Sequence, residues 1–376
     1  MSTPDMTDPA LTPTTQTNPF MGVLITVVMI CSLLLFVEGG VRLRQWWLYG
    51  FFTHQEKMTE FKPDLGIDLP VAGFASRTIQ INALGLRGPE LTLPKPTGTL
   101  RLTFIGGSTT FCPEVSSNDA VWPHLVWQRL QKQTPHLRMD YINAGVNAYS
   151  TKQSLIHLQK IVAPLQPDLI VILHGGNDMT LETRALAEEQ GLTSKPFTHS
   201  WMSDYSLFWF LVEKNLQIRS VQANKERLTS FPVDFGLPFE ENLTHLIREA
   251  QKVSRLVAVS TTSQHIRKEH TSEINRRAAA SSQYYMPFLS PEALLDAFDR
   301  YNAVIRRVAR KTGALLLDIE LRIPGDPEHF VDAVHFTDQG NRVMAEQVSA
   351  GILSSTRWQE IITNGTPHPP KGKRTP

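Results

Sequence analysis

Apolar positions in this chain follow two regimes. Residues 20–37 form an uninterrupted run of apolar and small side chains. At about 1.5 Å per residue that run nearly spans a hydrocarbon core, and more fully with Gly39, Gly40 and Val41 added. Beyond residue 98 the apolar positions come in short blocks separated by glycine-rich or polar loops. Leu102, Phe104 and Ile105 form the first block, and residues 139–143, 168–173, 256–260 and 314–318 form four more of strand length. The intervening stretches have helical spacing. Residues 122–131 give one helix, and Leu155, Leu158, Ile161 and Val162 give another behind a Ser150 or Thr151 cap. A long helix is framed by Pro291 near its start, Leu294, Leu295, Phe298, Ile305 and Val308 along it, and Gly313 at its end. Alternating strands and helices call for an α/β domain, a parallel sheet with helices on both faces.

The rest of the pattern sets the boundaries. Residues 1–19 are rich in Thr, Pro, Asp and Ser and read as a disordered tail; residues 356–376, rich in Pro, Lys, Gly and Thr, read the same way. Residues 20–45 are a transmembrane anchor rather than a cleaved leader, since no Lys or Arg precedes the run and Glu38-Gly39-Gly40 ends it. Trp46, Trp47 and Tyr49 then supply an aromatic belt. Residues 46–98 read as a linker, with TIQINALGLRGPE as a strand and turn, and residues 99–355 as the main domain. Within it, residues 181–238 are too long for a plain connection and predict a helical insertion. DYSLFWFLVEKN, its most apolar part, reads as a helix packed on the core, with a lid or a bilayer-facing surface as the alternatives.

Composition narrows the functional classes. With 376 residues, 41% hydrophobic and 19% charged, the chain can bury one large core with appendages. A net charge of +1, without aromatic-basic interleaving, offers no footprint for nucleic acid. Cys31 lies inside the apolar run and Cys112 after a glycine turn, which suggests neither a disulfide framework nor a metal site. His265 and His270 stand in a charged stretch that reads as a solvated helix face.

Candidate chemistry concentrates in four loops. RLTFIGGSTTF, residues 101–111, is a strand stopped by Gly106 and Gly107, glycines that permit backbone angles a side chain would forbid and lift Ser108 to the strand's C-terminal edge. The same stretch also reads as a Gly-rich turn with Ser108 as a helix N-cap. A serine nucleophile needs a base with an orienting carboxylate, and DAVHFTDQGN supplies Asp332 and His335, three apart. NAGVNAYS offers the Gly145 backbone N–H, and HGGND offers the Asn177 amide, as oxyanion donors beside the Ser108 N–H. His174 is the alternative base.

Taken in order, these loops resemble the signature blocks of the SGNH (GDSL-type) hydrolase superfamily, over roughly residues 99 to 355. The resemblance assigns Ser108 to block I, Gly145 to block II, Gly175 with Asn177 to block III, and Asp332 with His335 to block V. Gly106-Gly107-Ser108 stands where many members have Gly-Asp-Ser, as in a membrane-anchored bacterial subset, which also carries an element matching Asn82, Gly85, Arg87 and Gly88. The likeness implies a flavodoxin-like three-layer sandwich with a five-stranded parallel sheet, no cofactor or metal, and an acylated small-molecule or carbohydrate substrate. It implies esterase or deacetylase activity; O-acyl transfer to an envelope polysaccharide uses the same residues, and a non-catalytic glycan-binding module is the alternative of another class. Arg42 and Arg44 after the anchor, against Asp5 and Asp8 before it, favour a cytoplasmic domain by the charge rule. The likeness to anchored proteins acting on envelope polymers places it outside, and a periplasmic domain is the expectation adopted.

Overall fold

The computed structural model describes residues 19–49, 58–192, 200–223, 227–228 and 230–364. Of the expected tail over residues 1–19, residues 1–18 lie outside these, as do residues 365–376, while Pro19 opens the first helix. In chain order the elements are α1 (Pro19–Tyr49), β1 (Thr59–Lys62), β2 (Ile67–Pro70), β3 (Thr99–Gly106), α2 (Ser108–Phe111), α3 (Trp122–Gln133), β4 (Arg138–Gly145) and α4 (Thr151–His157). There follow β5 (Leu169–Leu173), α5 (Gly176–Glu189), α6 (Trp201–Tyr205), α7 (Leu207–Ala223), α8 (Leu237–Val253), β6 (Leu256–Ser260), α9 (Ser272–Ala278) and α10 (Ala280–Tyr285). The last are α11 (Pro291–Thr312), β7 (Leu315–Leu317), α12 (Asp338–Leu353) and α13 (Thr356–Asn364).

Five parallel strands form one sheet in the order β4-β3-β5-β6-β7. This is the flavodoxin-like arrangement, whose chain reverses its winding direction between β3 and β5, and ligands bind at such a switch point. All residues of β3, β5 and β6 are buried, so these strands read as continuous apolar runs. Alternate side chains divide between two cores. Ile105, Ile142, Ile170, Ile172 and Val259 pack with residues of α5, α8 and α11, while Leu102, Phe104, Val171 and Ala258 pack with residues of α3, α12 and α13. Register aligns Gly106 with both Gly145 and Leu173, so the loops leaving β3, β4 and β5 start at one level.

Helix ends follow their local chemistry. Ser150 and Gln153 make a capping box at α4, Ser290 caps α11 ahead of Pro291, and Gly313 ends α11 in the left-handed conformation.

Five features differ from the sequence reading. Helix α1, over the expected anchor, runs through Tyr49, beyond the expected end at residue 45. TIQINALGLRGPE forms isolated bridges rather than a strand, one of them joining Arg87 to Asn143 of β4. Asn82 organises its turn by accepting from the Leu84 and Leu86 N–H groups. With Ile67 packed on Val146 and Tyr149, the segment from Met58 onward is built into the domain rather than linking to it. His265 and His270 lie in the irregular loop after β6, not on a helix. Finally, residues 356–364 are helix α13 rather than tail, because Trp358 and Ile361, one turn apart, supply an apolar stripe that is 0% and 1% exposed.

Trp358→Ala is therefore expected to destabilise the domain by about 3–5 kcal/mol, the usual cost of emptying a buried tryptophan site. Denaturant unfolding of the detergent-solubilised chain checks this; a loss under about 0.5 kcal/mol, typical of an exposed position, would return α13 to the tail.

Candidate active site

Ser108 opens α2, and the residue in the capping position is Gly107, so the Ser108 hydroxyl is not consumed as a helix cap. It lies 2.7 Å from His335 Nε2 instead. His335 Nδ1 is 2.8 Å from Asp332 Oδ2, and Asp332 Oδ1 accepts from the Val334 and His335 N–H groups, both at 2.9 Å. In the neutral imidazole, with Nδ1–H donating to the carboxylate, Nε2 is the nitrogen that accepts from the serine hydroxyl. The three-residue spacing lets the loop fold the carboxylate back under its own histidine.

Gly106 and Gly107 are needed for close approach rather than for unusual backbone angles, since neither has a positive φ. A Cβ on Gly106 would meet Thr110 Oγ1 at 2.1 Å and the Leu173 carbonyl at 2.5 Å, and one on Gly107 would meet Asn177 Nδ2 at 2.7 Å. Asn177, at the start of α5, donates its amide to the Tyr149 carbonyl at 2.8 Å and lines the same cavity as Ser108.

Gly145 does not fill the role expected of it. Its N–H donates to Asn143 Oδ1 at 3.0 Å, a Cβ on it would meet the Phe111 backbone N at 2.4 Å, and it is not among the residues that line the cavity. Ala148, three residues on, lines the cavity with φ +63°, a conformation a side chain tolerates poorly. Neither the Ala148 nor the Ser108 N–H donates to any group among the described residues. Sequence spacing identified this loop, but the Gly145 amide it offered is already engaged.

Two residues outside the four loops shape the site. Arg87, 1% exposed, donates to the carbonyls of Phe111 and Cys112 at 2.6 and 2.5 Å, to the Thr78 carbonyl and to Asn118 Oδ1. It holds the chain leaving the serine turn, so the Asn82–Gly88 element braces the site from behind. Glu114, which sequence reading missed, places Oε1 3.8 Å from His335 Nδ1. No spacing marks it, because it sits on an irregular loop after α2.

Electrostatics follow from this arrangement. Burial works against the His335 imidazolium, but the hydrogen bond to Asp332 and the charges of Glu114 and Asp332 outweigh it and raise its pKa to about 9. Burial works against the Asp332 carboxylate too, yet its hydrogen bond and attraction to His335 leave it below the ordinary range. Burial raises Glu114, against the pull of His335. His174 is different. Burial drives its pKa down to about 3, and its Nε2 is paired with Ser154 Oγ at 2.8 Å and not with the Ser108 hydroxyl.

The cavity over Ser108 has a volume of about 530 Å³. Met179, Met286 and Phe298 give it an apolar side, and Glu114, Asn147 and Arg184 a polar one. Against known proteins, residues 104–343 match the GDSL-like Lipase/Acylhydrolase family, well over half of the chain. The chain belongs to that family. As a GDSL-type, or SGNH, hydrolase it is an ester-hydrolysing enzyme. No curated protein matches it. Among solved structures, a variant of an acetyl xylan esterase from Geobacillus stearothermophilus is 16% identical, with 68% of this chain and 95% of that one covered and a TM-score of 0.41. An α/β hydrolase from the metagenome of Lake Arreo, Spain, is 15% identical, with 68% and 96% covered and a TM-score of 0.41.

Because its folded pKa of about 9 exceeds the ordinary 6.5, protonated His335 favours the folded state below pH 6.5, and that contribution fades as pH rises through 9. Glu114→Gln removes one of the charges responsible and is expected to lower the His335 pKa, as read by NMR titration of the imidazole in the full chain. An unchanged titration would show that Asp332 alone sets it.

Proposed function

We propose that this SGNH hydrolase is a membrane-anchored serine esterase that removes acyl groups from a carbohydrate or small polyol on the outer side of the membrane. The observation that carries the catalytic reading is the continuous path from the Ser108 hydroxyl through His335 to Asp332, at 2.7 and 2.8 Å, opening on one cavity. In the proposed reaction Ser108 Oγ attacks the ester carbonyl as His335 Nε2 takes its proton. The Ser108 and Ala148 N–H groups and the Asn177 amide stabilise the oxyanion, each such donor typically supplying about 10²-fold or more in rate. Collapse of the intermediate expels the alcohol, which receives the proton from His335 and leaves an acyl-serine. His335 then deprotonates a water that attacks this ester, and Ser108 leaves with the proton returned to it. Asp332 holds the imidazole tautomer throughout.

A polyol leaving group is supported by two acceptors at the cavity. Glu114 Oε2 and Asn147 Oδ1 are buried without a partner among the described residues, and sugar hydroxyls are donors of the required kind. The membrane reading is supported by α1, whose segment Phe20–Trp47 is long and apolar enough to cross a bilayer and is not buried in the domain. Of the two arginines that favour a cytoplasmic domain by the charge rule, Arg42 is paired with Glu38. Long domains also translocate largely regardless of charge.

Ser108→Ala and His335→Ala are each expected to lower ester hydrolysis on the order of 10³-fold or more, Ser108→Ala with an unchanged melting temperature, and Asp332→Asn to cost less activity than His335→Ala. A panel of aryl esters and acetylated oligosaccharides, with fluorophosphonate labelling of the purified chain, reads both. Turnover retained in Ser108→Ala, or a wild type that takes no label, would remove the serine mechanism. For orientation, an alkaline phosphatase fusion after Pro376 is expected to be active and a green fluorescent protein fusion dark; the opposite pair would put the domain in the cytoplasm.

A further inference from the structure

The bilayer-spanning reading of α1, on which this inference rests, leaves the last turns of the helix to be explained. Residues 20–36 are exposed on every face. They measure about 25 Å at 1.5 Å per residue, short of a hydrocarbon core of roughly 30 Å. Beyond them the helix is no longer free: Val37, Glu38, Val41, Arg42 and Gln45 are half-buried against the domain. A carboxylate in so apolar a helix is costly unless satisfied. Here Glu38 accepts from the Leu207 and Phe208 N–H groups at 2.9 Å, from Ser206 Oγ at 2.8 Å and from Arg42 Nε at 2.5 Å, and so fastens α1 to the first turn of α7.

This fastening fixes a depth. A core of roughly 30 Å that begins at Phe20 ends near Gly39 or Gly40, which puts Arg42 in the headgroup layer. Arg42 Nη2 donates to the Tyr205 carbonyl at 2.7 Å, so the end of α6 lies at the same level. The side chains there are Trp201 and Tyr205, 72% and 76% exposed, with ring centroids 6.5 Å apart and Met202 beside them. Trp and Tyr are the side chains that an interface between hydrocarbon and water favours, since each presents an apolar ring with one polar atom. Exposed to water they would have no such compensation.

We propose that α6 and the first turn of α7 form a second membrane contact, with Trp201 and Tyr205 seated in the headgroup layer beside α1. The enzyme then lies on the bilayer instead of hanging from a single helix. Because α7 packs on α10, which contributes Ser282 and Tyr285 to the cavity wall, the active site is held one helix away from the lipid surface. Esters presented at that surface reach the cavity without leaving it.

The test uses the full chain in phosphatidylethanolamine–phosphatidylglycerol vesicles, with and without lipids brominated near the headgroup end of the acyl chains. The emission lost in Trp201→Phe reports on Trp201, and that lost in Trp46→Phe reports on the end of the anchor. Bromine is expected to quench both components, and Glu38→Ala to abolish quenching of the Trp201 component while the protein still floats with the vesicles. A chain that floats with its Trp46 component quenched but its Trp201 component indifferent to bromine would overturn the second contact alone, whether water or a protein partner covers α6. A chain that does not float would overturn the anchor and the second contact together.

Discussion

The geometry of this enzyme rests on how closely three backbone segments can pass one another at the C-terminal edge of the sheet. Gly106, Gly107 and Gly145 lie where β3 and β4 end, and each is in a position where a side chain would collide with a neighbouring backbone or side-chain atom at 2.7 Å or less. Removing those collisions lets α2 begin immediately after β3, with Ser108 at its first position and Thr110 against the β4 end. The constraint is one of volume. Left-handed backbone is needed instead at Ala148, where a residue with a side chain accepts it. Strain of this kind persists only where the surroundings fix it, and here it sits beside the serine.

Around that contact the remaining parts are held by buried polar groups with few alternatives. Asn143 bridges the Thr110 carbonyl and the Gly145 N–H, Asp178 accepts from Thr151 at the start of α4, and Asn341 accepts from the Trp122 N–H across the opposite face. Each is buried and partnered, so each specifies one arrangement of the loops and not a family of them.

Much of this was legible in the sequence because burial on both faces of a parallel sheet leaves continuous apolar runs, and the runs around residues 102, 142, 171, 258 and 316 are the five strands. Asp332 and His335 were legible for a local reason, since a three-residue spacing in a loop brings the two side chains together. The direction of a backbone N–H has no such signature. Gly145 and Ala148 are both small residues close together in the chain, and only the folded path reveals that the N–H of the first is taken by Asn143 while the second lines the cavity. Glu114 was invisible because its approach to His335 depends on how an irregular loop returns over the site. Helix α13 was hidden by averaging: the Pro- and Lys-rich residues after Asn364 dominate the composition of the terminus and mask one apolar stripe.

Arg87 carries a consequence for where the catalytic unit begins. Its guanidinium grips the carbonyls of Phe111 and Cys112 from a segment that precedes the first strand of the sheet, and the hairpin of β1 and β2 lies farther upstream still, with the Tyr149 hydroxyl donating to the Asp68 carbonyl. The stretch from Met58 to the sheet is thus part of the wall behind the serine. A displacement of that stretch has a route to the position of the hydroxyl itself, some twenty residues of chain between Arg87 and Ser108 and a much shorter path through the Arg87 hydrogen bonds. The segment ahead of the sheet is therefore also a structural member of the active site, joined to it through a single hydrogen-bonded arginine.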